Sequence, residues 1–288
     1  MNSPPVSVGS AGRVAEAGDT TPAAASFGGF TRRLLSILVL LPAVLALTWA
    51  GGLFFVFLCA IALLLLAAEW RRITGGDDSG TLFAFTILAT LFGLLLTVDN
   101  QPVAALAFLF ISSAVAAPVA RWQGGRARWA VLAPLYFGLP VVALAWVRLD
   151  VEDGRIMILT LLAIVWASDI GAYLFGSMIG GIRLAPRISP NKTWAGALGG
   201  LILAAIVGFL GARLPGMPVA WVSALLAVFL AAWSQVGDLA ESALKRNFGV
   251  KDSGALIPGH GGLLDRVDSL LFAAPLGALI VALYGGAV

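Results

Sequence analysis

From Leu34 onward the chain is a series of long apolar runs, each separated from the next by a short polar break. An α-helix needs roughly 17 to 25 predominantly apolar residues to cross a hydrocarbon layer about 30 Å thick. Water is absent from that layer, so each segment must satisfy its own backbone N–H and C=O groups. A helix does so and an open sheet does not. The runs therefore predict an all-α, polytopic membrane bundle of about nine transmembrane helices, over 34–50, 53–68, 81–98, 102–120, 129–147, 156–176, 196–214, 218–236 and 268–286. With 60% hydrophobic and 11% charged residues, the composition is not that of a soluble globular domain.

Residues 1–29 are rich in Ala, Gly, Ser and Pro, bury little apolar surface and are expected to form a disordered tail. Residues 30–288 then form one membrane-embedded domain, opened by Arg32 and Arg33 ahead of a run that resembles a signal anchor. Prolines inside spans (Pro42, Pro118, Pro134, Pro140, Pro275) are tolerable where neighbouring helices satisfy the freed carbonyls. The single cysteine, Cys59, lies in an apolar run and forms no intramolecular disulfide. Placing the N-terminus in the cytoplasm puts 15 of the 18 basic residues inside and leaves Arg148, Arg155 and Arg213 outside. That bias predicts a multi-pass protein of the cytoplasmic membrane with its C-terminus outside. The loop at 177–195 and the segment 237–267 then share the cytoplasmic side.

Three polar groupings stand out. Asp169 lies late in the sixth apolar run, where a carboxylate costs roughly 2.5 to 3.5 kcal/mol and must face a partner or a wet cavity. Next comes Arg187-Ile188-Ser189-Pro190-Asn191-Lys192-Thr193-Trp194, just before the seventh run. Ser189 or Asn191 is expected to cap the helix there, with Lys192 and Thr193 near its first turn. Amides, a hydroxyl and an ammonium at a helix N-terminus form a natural anion site. Plain capping with a lysine on the cytoplasmic side accounts for the same residues.

The third grouping runs from Asp238 to Asp268 and holds 9 of the chain's 33 charged side chains. Asp238, Glu241 and Lys245 fall on one helical face, with Arg246 beside it. After Asn247-Phe248-Gly249 come Lys251-Asp252-Ser253-Gly254, then Pro258-Gly259-His260-Gly261-Gly262, then Asp265-Arg266-Val267-Asp268 opening the ninth run. Dipole complementarity explains one aspartate at a helix start, and explains this whole group less well. The set suits phosphoryl or nucleotidyl transfer. Carboxylates hold Mg²⁺, Lys and Arg clamp phosphate, and glycines let backbone amides approach it. No Gly-x-x-x-x-Gly-Lys-Ser/Thr loop is present, so this is not a P-loop enzyme. His260 could be an acid, a phosphate donor or a loop-packing residue.

These residues resemble the phosphatidate cytidylyltransferases. The family signature stands here as Ser242-Ala243-Leu244-Lys245-Arg246, Lys251-Asp252-Ser253-Gly254, Pro258 to Gly262, and Asp265-Arg266-Val267-Asp268. The resemblance extends upstream to Gln235-Val236-Gly237-Asp238-Leu239, to Ser189-Pro190-Asn191-Lys192-Thr193 and to the Asp169 segment. Two positions depart from it: Ile170, where the family often has Thr, and Ala195, where it often has Glu or Gln. The N-terminal spans match by architecture alone.

The resemblance implies transfer of the CMP moiety of CTP to phosphatidic acid, giving CDP-diacylglycerol and pyrophosphate. It implies Mg²⁺, with room for a second metal ion, on Asp238, Asp265 and Asp268. Lys245 and Arg246 join these aspartates as catalytic candidates. Ser189, Lys192, Thr193, Lys251, Asp252, His260 and Arg266 are candidates for binding substrate or phosphate. The implied partners are CTP, phosphatidic acid and membrane lipid. No nucleic acid is expected, and self-association stays open. Two other classes compete. A membrane lipid-alcohol kinase using CTP or ATP needs the same groups. An ion-coupled transporter would explain Asp169 and broken helices, but not the Lys-Arg and Pro-Gly-His-Gly-Gly elements between spans.

Overall fold

A computed structural model describes residues 38–74, 80–124, 128–254, 256 and 261–285. The expected tail at 1–29, His260 and Arg126 lie outside the described residues. The described chain is a helical bundle with one small hairpin. Its elements are α1 (Leu38–Ala50), α2 (Gly52–Thr74), α3 (Gly80–Val98), α4 (Pro102–Gln123), α5 (Arg128–Ala133), a π-helical turn (Pro134–Gly138), α6 (Leu139–Asp150), α7 (Gly154–Ile179), β1 (Arg183–Ala185), β2 (Ser189–Thr193), α8 (Trp194–Gly211), α9 (Ala220–Asn247) and α10 (Leu264–Gly285). Eight helices among the described residues are long and apolar enough to cross a membrane, counting Trp129–Asp150 as one. The shorter α1 falls in the first of the nine expected spans.

The largest departures from the expected boundaries occur at one end of the bundle. α2 continues past 68 to Thr74, α9 past 236 to Asn247, and α10 starts at Leu264 rather than 268. These extensions carry charged side chains on continuous helix, so hydropathy alone ends each span too early. In the fifth span, Pro134 and Pro140 bracket the π turn. Neither proline can donate a backbone hydrogen bond, and the wider turn accommodates their rings.

The two halves of the bundle pack by different means. In the first half, large side chains fill the interior: Trp70, Phe137, Leu63 and Leu109 are fully buried. Trp70 packs against Trp129, Tyr136 and Phe137, and its indole Nε1 donates to the Trp129 carbonyl at 3.1 Å. In the second half, α8 meets α7 and α9 through glycines. A methyl group added at Gly171 would lie 2.6 Å from the Gly199 carbonyl oxygen, and one at Gly196 2.6 Å from that of Ala172. At Gly200 it would lie 2.7 Å from the Ser168 carbonyl, and at Gly208 2.5 Å from that of Ser223. Such contacts let helices associate by close backbone approach where burial in lipid supplies no hydrophobic drive. Outward-facing residues such as Leu53, Phe57, Leu88, Ile111, Leu198 and Ile206 are exposed, as a lipid-facing surface requires.

Polar contacts define the two ends. At one, Arg148 donates to the carbonyls of Thr48 and Trp49 at 2.7 and 2.9 Å, and Arg155 lies over the Trp49 ring. At the other lie the hairpin, the C-terminal end of α9 and the start of α10, the elements that carry the signature.

Candidate active site

The hairpin is the element that the sequence reading did not anticipate. β1 and β2 pair antiparallel, with Arg183 opposite Thr193 and Ala185 opposite Ser189. Ser189, Asn191 and Lys192 are therefore on a strand, and the cap of α8 is Thr193 instead of Ser189 or Asn191. The Thr193 hydroxyl accepts from the Gly196 N–H at 3.1 Å. Removing such a cap costs about 1 kcal/mol. The extended backbone of β2 carries Lys192 to α9, where its ammonium meets Asp238 Oδ2 at 2.5 Å. A residue expected to bind phosphate and one expected to bind metal thus neutralise each other in this structure.

Behind Asp238, one turn earlier on α9, the Gln235 amide donates to the Ser168 hydroxyl at 3.2 Å and to the Ala197 carbonyl at 3.1 Å. It ties α7, α8 and α9 together at the level of the site. Asp169, Asp238 and Asp268 come from α7, α9 and α10 and lie within electrostatic range of one another. Asp169 is on an open side of its helix, at the Ser269 side chain. The hydrogen bond recorded for Asp268 is from its neighbour's amide, Ser269 N–H, at 2.8 Å. Three carboxylates from three helices thus share a region in which Lys192 is the paired cation.

A second acidic group is built differently. Lys245 bridges Glu241 and Asp265, at 2.6 and 2.7 Å. Asp265 also accepts from Ser253 N–H, at 3.1 and 3.0 Å to its two oxygens, and from Gly262 N–H at 2.9 Å. Both of its oxygens are engaged. Glu69 of α2 completes the group and was absent from the sequence reading. It is 2% exposed, and it accepts from Ser253 Oγ at 3.0 Å, Leu263 N–H at 2.8 Å and Leu264 N–H at 2.7 Å. Among the described loop residues, the amides of Ser253, Gly262, Leu263 and Leu264 are held by the protein's own carboxylates.

Of the remaining candidates, Arg246 donates from Nε to the Ile188 carbonyl at 3.4 Å and so links α9 to the hairpin. Lys251, Asp252 and Arg266 are exposed at the same end. Ser253 is buried. The structure thus gathers Lys192, Asp238, Asp268 and Asp169 in one group, and Lys245, Asp265, Glu241 and Glu69 in another.

Among the described residues, no three acidic, His or Cys side chains stand close enough together to hold an ion as they are placed. The chemistry of the Asp169, Asp238 and Asp268 group nonetheless suits a hard divalent cation: carboxylate oxygens, mutual repulsion and an accessible side. Asp265, with both oxygens engaged, suits it less.

A helical membrane domain with acidic and basic groups assembled at one end is the framework of an integral-membrane enzyme acting on charged substrates. The sequence model of the cytidylyltransferase family matches residues 31–284, and the chain belongs to that family. It is similar to the phosphatidate cytidylyltransferase of Brucella suis biovar 1 (strain 1330), 41% identical over 254 residues, 88% of this chain and 93% of that protein. It is also similar to that of Bacillus subtilis (strain 168), 40% identical over 154 residues, 53% of this chain and 57% of that protein. A third relative, the phosphatidate cytidylyltransferase of Staphylococcus haemolyticus (strain JCSC1435), is 47% identical over 126 residues, 43% of this chain and 48% of that protein.

Proposed function

We infer that the chain transfers the CMP moiety of CTP to phosphatidic acid, forming CDP-diacylglycerol and pyrophosphate. One observation carries this reading to particular residues. At one end of the bundle Lys192 pairs with Asp238, and Lys245 pairs with Glu241 and Asp265. A phosphate oxygen of phosphatidate attacks the α-phosphorus of CTP. The new P–O bond forms as the bond to the pyrophosphate oxygen breaks, and the electron pair leaves with pyrophosphate.

The chain's own part is to bind, orient and neutralise. Lys192, on the hairpin, is placed to exchange its Asp238 contact for a phosphate oxygen. Lys245 and Arg246 hold the end of α9 against Asp265 and the hairpin. Lys251 and Arg266 offer positive charge on the accessible side of the loop. Asp238 and Asp268, with Asp169 beside them, are the residues that would hold Mg²⁺. When bound there it would supply charge neutralisation at the departing pyrophosphate. No general base is required, because a phosphate nucleophile is already ionised near neutral pH.

We place this end of the bundle in the cytoplasm and the Arg148–Arg155 end outside, on the positive-inside bias. A cysteine at the exposed Lys251 should then be shielded from an impermeant thiol reagent in intact cells, and one at the exposed Arg213 should react, in a Cys59→Ala background. Labelling in the opposite sense would overturn the orientation. The activity is tested with purified protein, CTP labelled in the cytidine moiety and phosphatidate. Labelled CDP-lipid with equimolar pyrophosphate is expected. Transfer of the γ-phosphate to a lipid alcohol, with no CDP-lipid, would contradict it.

A further inference from the structure

We propose that Glu69 is a positioning residue for this reaction, clamping the start of α10 so that Asp265 and Asp268 are held in register with α9. The proposal rests on the cytidylyltransfer reading and extends it to a helix that carries none of the signature.

A carboxylate this deeply buried is costly unless donors surround it. Glu69 has three: Ser253 Oγ, Leu263 N–H and Leu264 N–H. The two amides stand at the mouth of α10, where N–H groups lack intrahelical partners and the helix dipole favours negative charge. The third donor makes the contact a clamp. Ser253 gives its hydroxyl to Glu69 and its amide to Asp265, so two carboxylates grip one loop residue from different helices.

The loop glycines fit the same role. A methyl group at Gly254 would lie 3.0 Å from Glu69 Oε1. One at Gly262 would lie 1.9 Å from Ser253 Oγ and 2.6 Å from Glu69 Oε2. Room for this carboxylate, more than room for phosphate, accounts for glycine at both positions. The neighbouring residue fixes the clamp in turn: Trp70 is 1% exposed and hydrogen-bonded to the Trp129 carbonyl. Asp268 stands one helical turn beyond Leu264, so a shift at the clamped amide moves the carboxylate that faces Asp238.

The test compares the full-length wild type with Glu69→Gln, purified in detergent. It measures kcat, KM for CTP, the folded fraction and backbone deuterium uptake. Glutamine keeps the size and one acceptor oxygen but presents a donor group to the helix start. The expected result is a kcat lower by about tenfold or more per folded molecule, with little change in KM for CTP. Deuterium uptake should rise in peptides covering 261–268 and stay unchanged in those from α7 and α8. Wild-type kcat with wild-type uptake in Glu69→Gln would overturn the proposal, as would a loss explained entirely by a smaller folded fraction. Should Glu69→Gln fail to fold, Ser253→Ala carries the test. It removes one donor and leaves two, and about a threefold loss of kcat is expected with raised uptake over 261–268. Unchanged values for Ser253→Ala would then overturn it. Failure of the wild type to make CDP-lipid in the same assay would sink the cytidylyltransfer reading instead, separately from the clamp.

Discussion

Asp265 and Asp268 differ by three positions on one helix, yet they belong to different structures. Asp265, with Glu69, is filled: its oxygens meet Lys245 and two loop amides, and Glu69 holds two more amides and a hydroxyl. Asp268, with Asp238 and Asp169, stands among like charges, with Lys192 as the ion-pair partner of one of them. A filled carboxylate holds a fold together. A carboxylate surrounded by others is costly to the fold, and we propose that this cost is met by a cation arriving with substrate. Asp265 and Asp268 are the same residue type in one motif, and their partners separate them.

The largest effect expected is on the group of like charges. Asp238→Asn or Asp268→Asn should lower kcat/KM by at least about a hundredfold, while thermal unfolding in detergent changes little. A large loss of stability with activity per folded molecule retained would erase the distinction. Lys192→Ala should come next, with about a tenfold loss of turnover and normal insertion in the membrane. Lys192→Arg should recover only part of it, since a guanidinium places its charge differently. Wild-type kinetics in Lys192→Ala would reduce the hairpin to a support for α8.

Asp265→Asn should show the opposite balance. It weakens the Lys245 pair and the loop hydrogen bonds, and should cost about 2 kcal/mol of stability with a smaller fall in kcat. A calorimetric or fluorescence unfolding series across the three aspartate variants ranks them directly. Gly200→Ala should separate α7 from α8 by forcing a methyl group against the Ser168 carbonyl and the Gln235 amide, at a cost of about 1 to 3 kcal/mol. Thr193→Ala is the smallest, at about 1 kcal/mol for the lost cap. If Gly200→Ala were neutral in unfolding, the close glycine contact would have no part in holding Asp169 near Asp238.

Much of this was legible in the sequence. The length of the apolar runs requires helices, and the eight long spans fall where the runs do. Lys245 and Asp265 pair directly, whereas Asp268, three residues on, falls in the other group with Asp238. What stayed hidden depends on contacts between segments far apart in the chain. Glu69 sits just past the end of an apolar run and before Arg71 and Arg72, so it reads as an interfacial charge, although its partners lie more than 180 residues away. The hairpin is hidden because Ser189 and Asn191 suit a helix cap equally well, and because two strands of three and five residues leave no alternating pattern. Nothing in the spacing of Asp265 and Asp268 tells which is filled, since Asp265 takes backbone amides of the loop, which no residue type marks, beside the Lys245 ammonium.

The most direct measurement is a Mg²⁺ titration of pyrophosphate release from CTP and phosphatidate, run on Asp268→Asn and Asp265→Asn beside the wild type. Asp268→Asn should require several-fold more Mg²⁺ for half-maximal rate and unfold at the wild-type temperature. Asp265→Asn should keep the wild-type Mg²⁺ requirement and unfold at a lower temperature. The reverse pattern, or a rate undiminished by EDTA in the wild type, would contradict the division between the two groups.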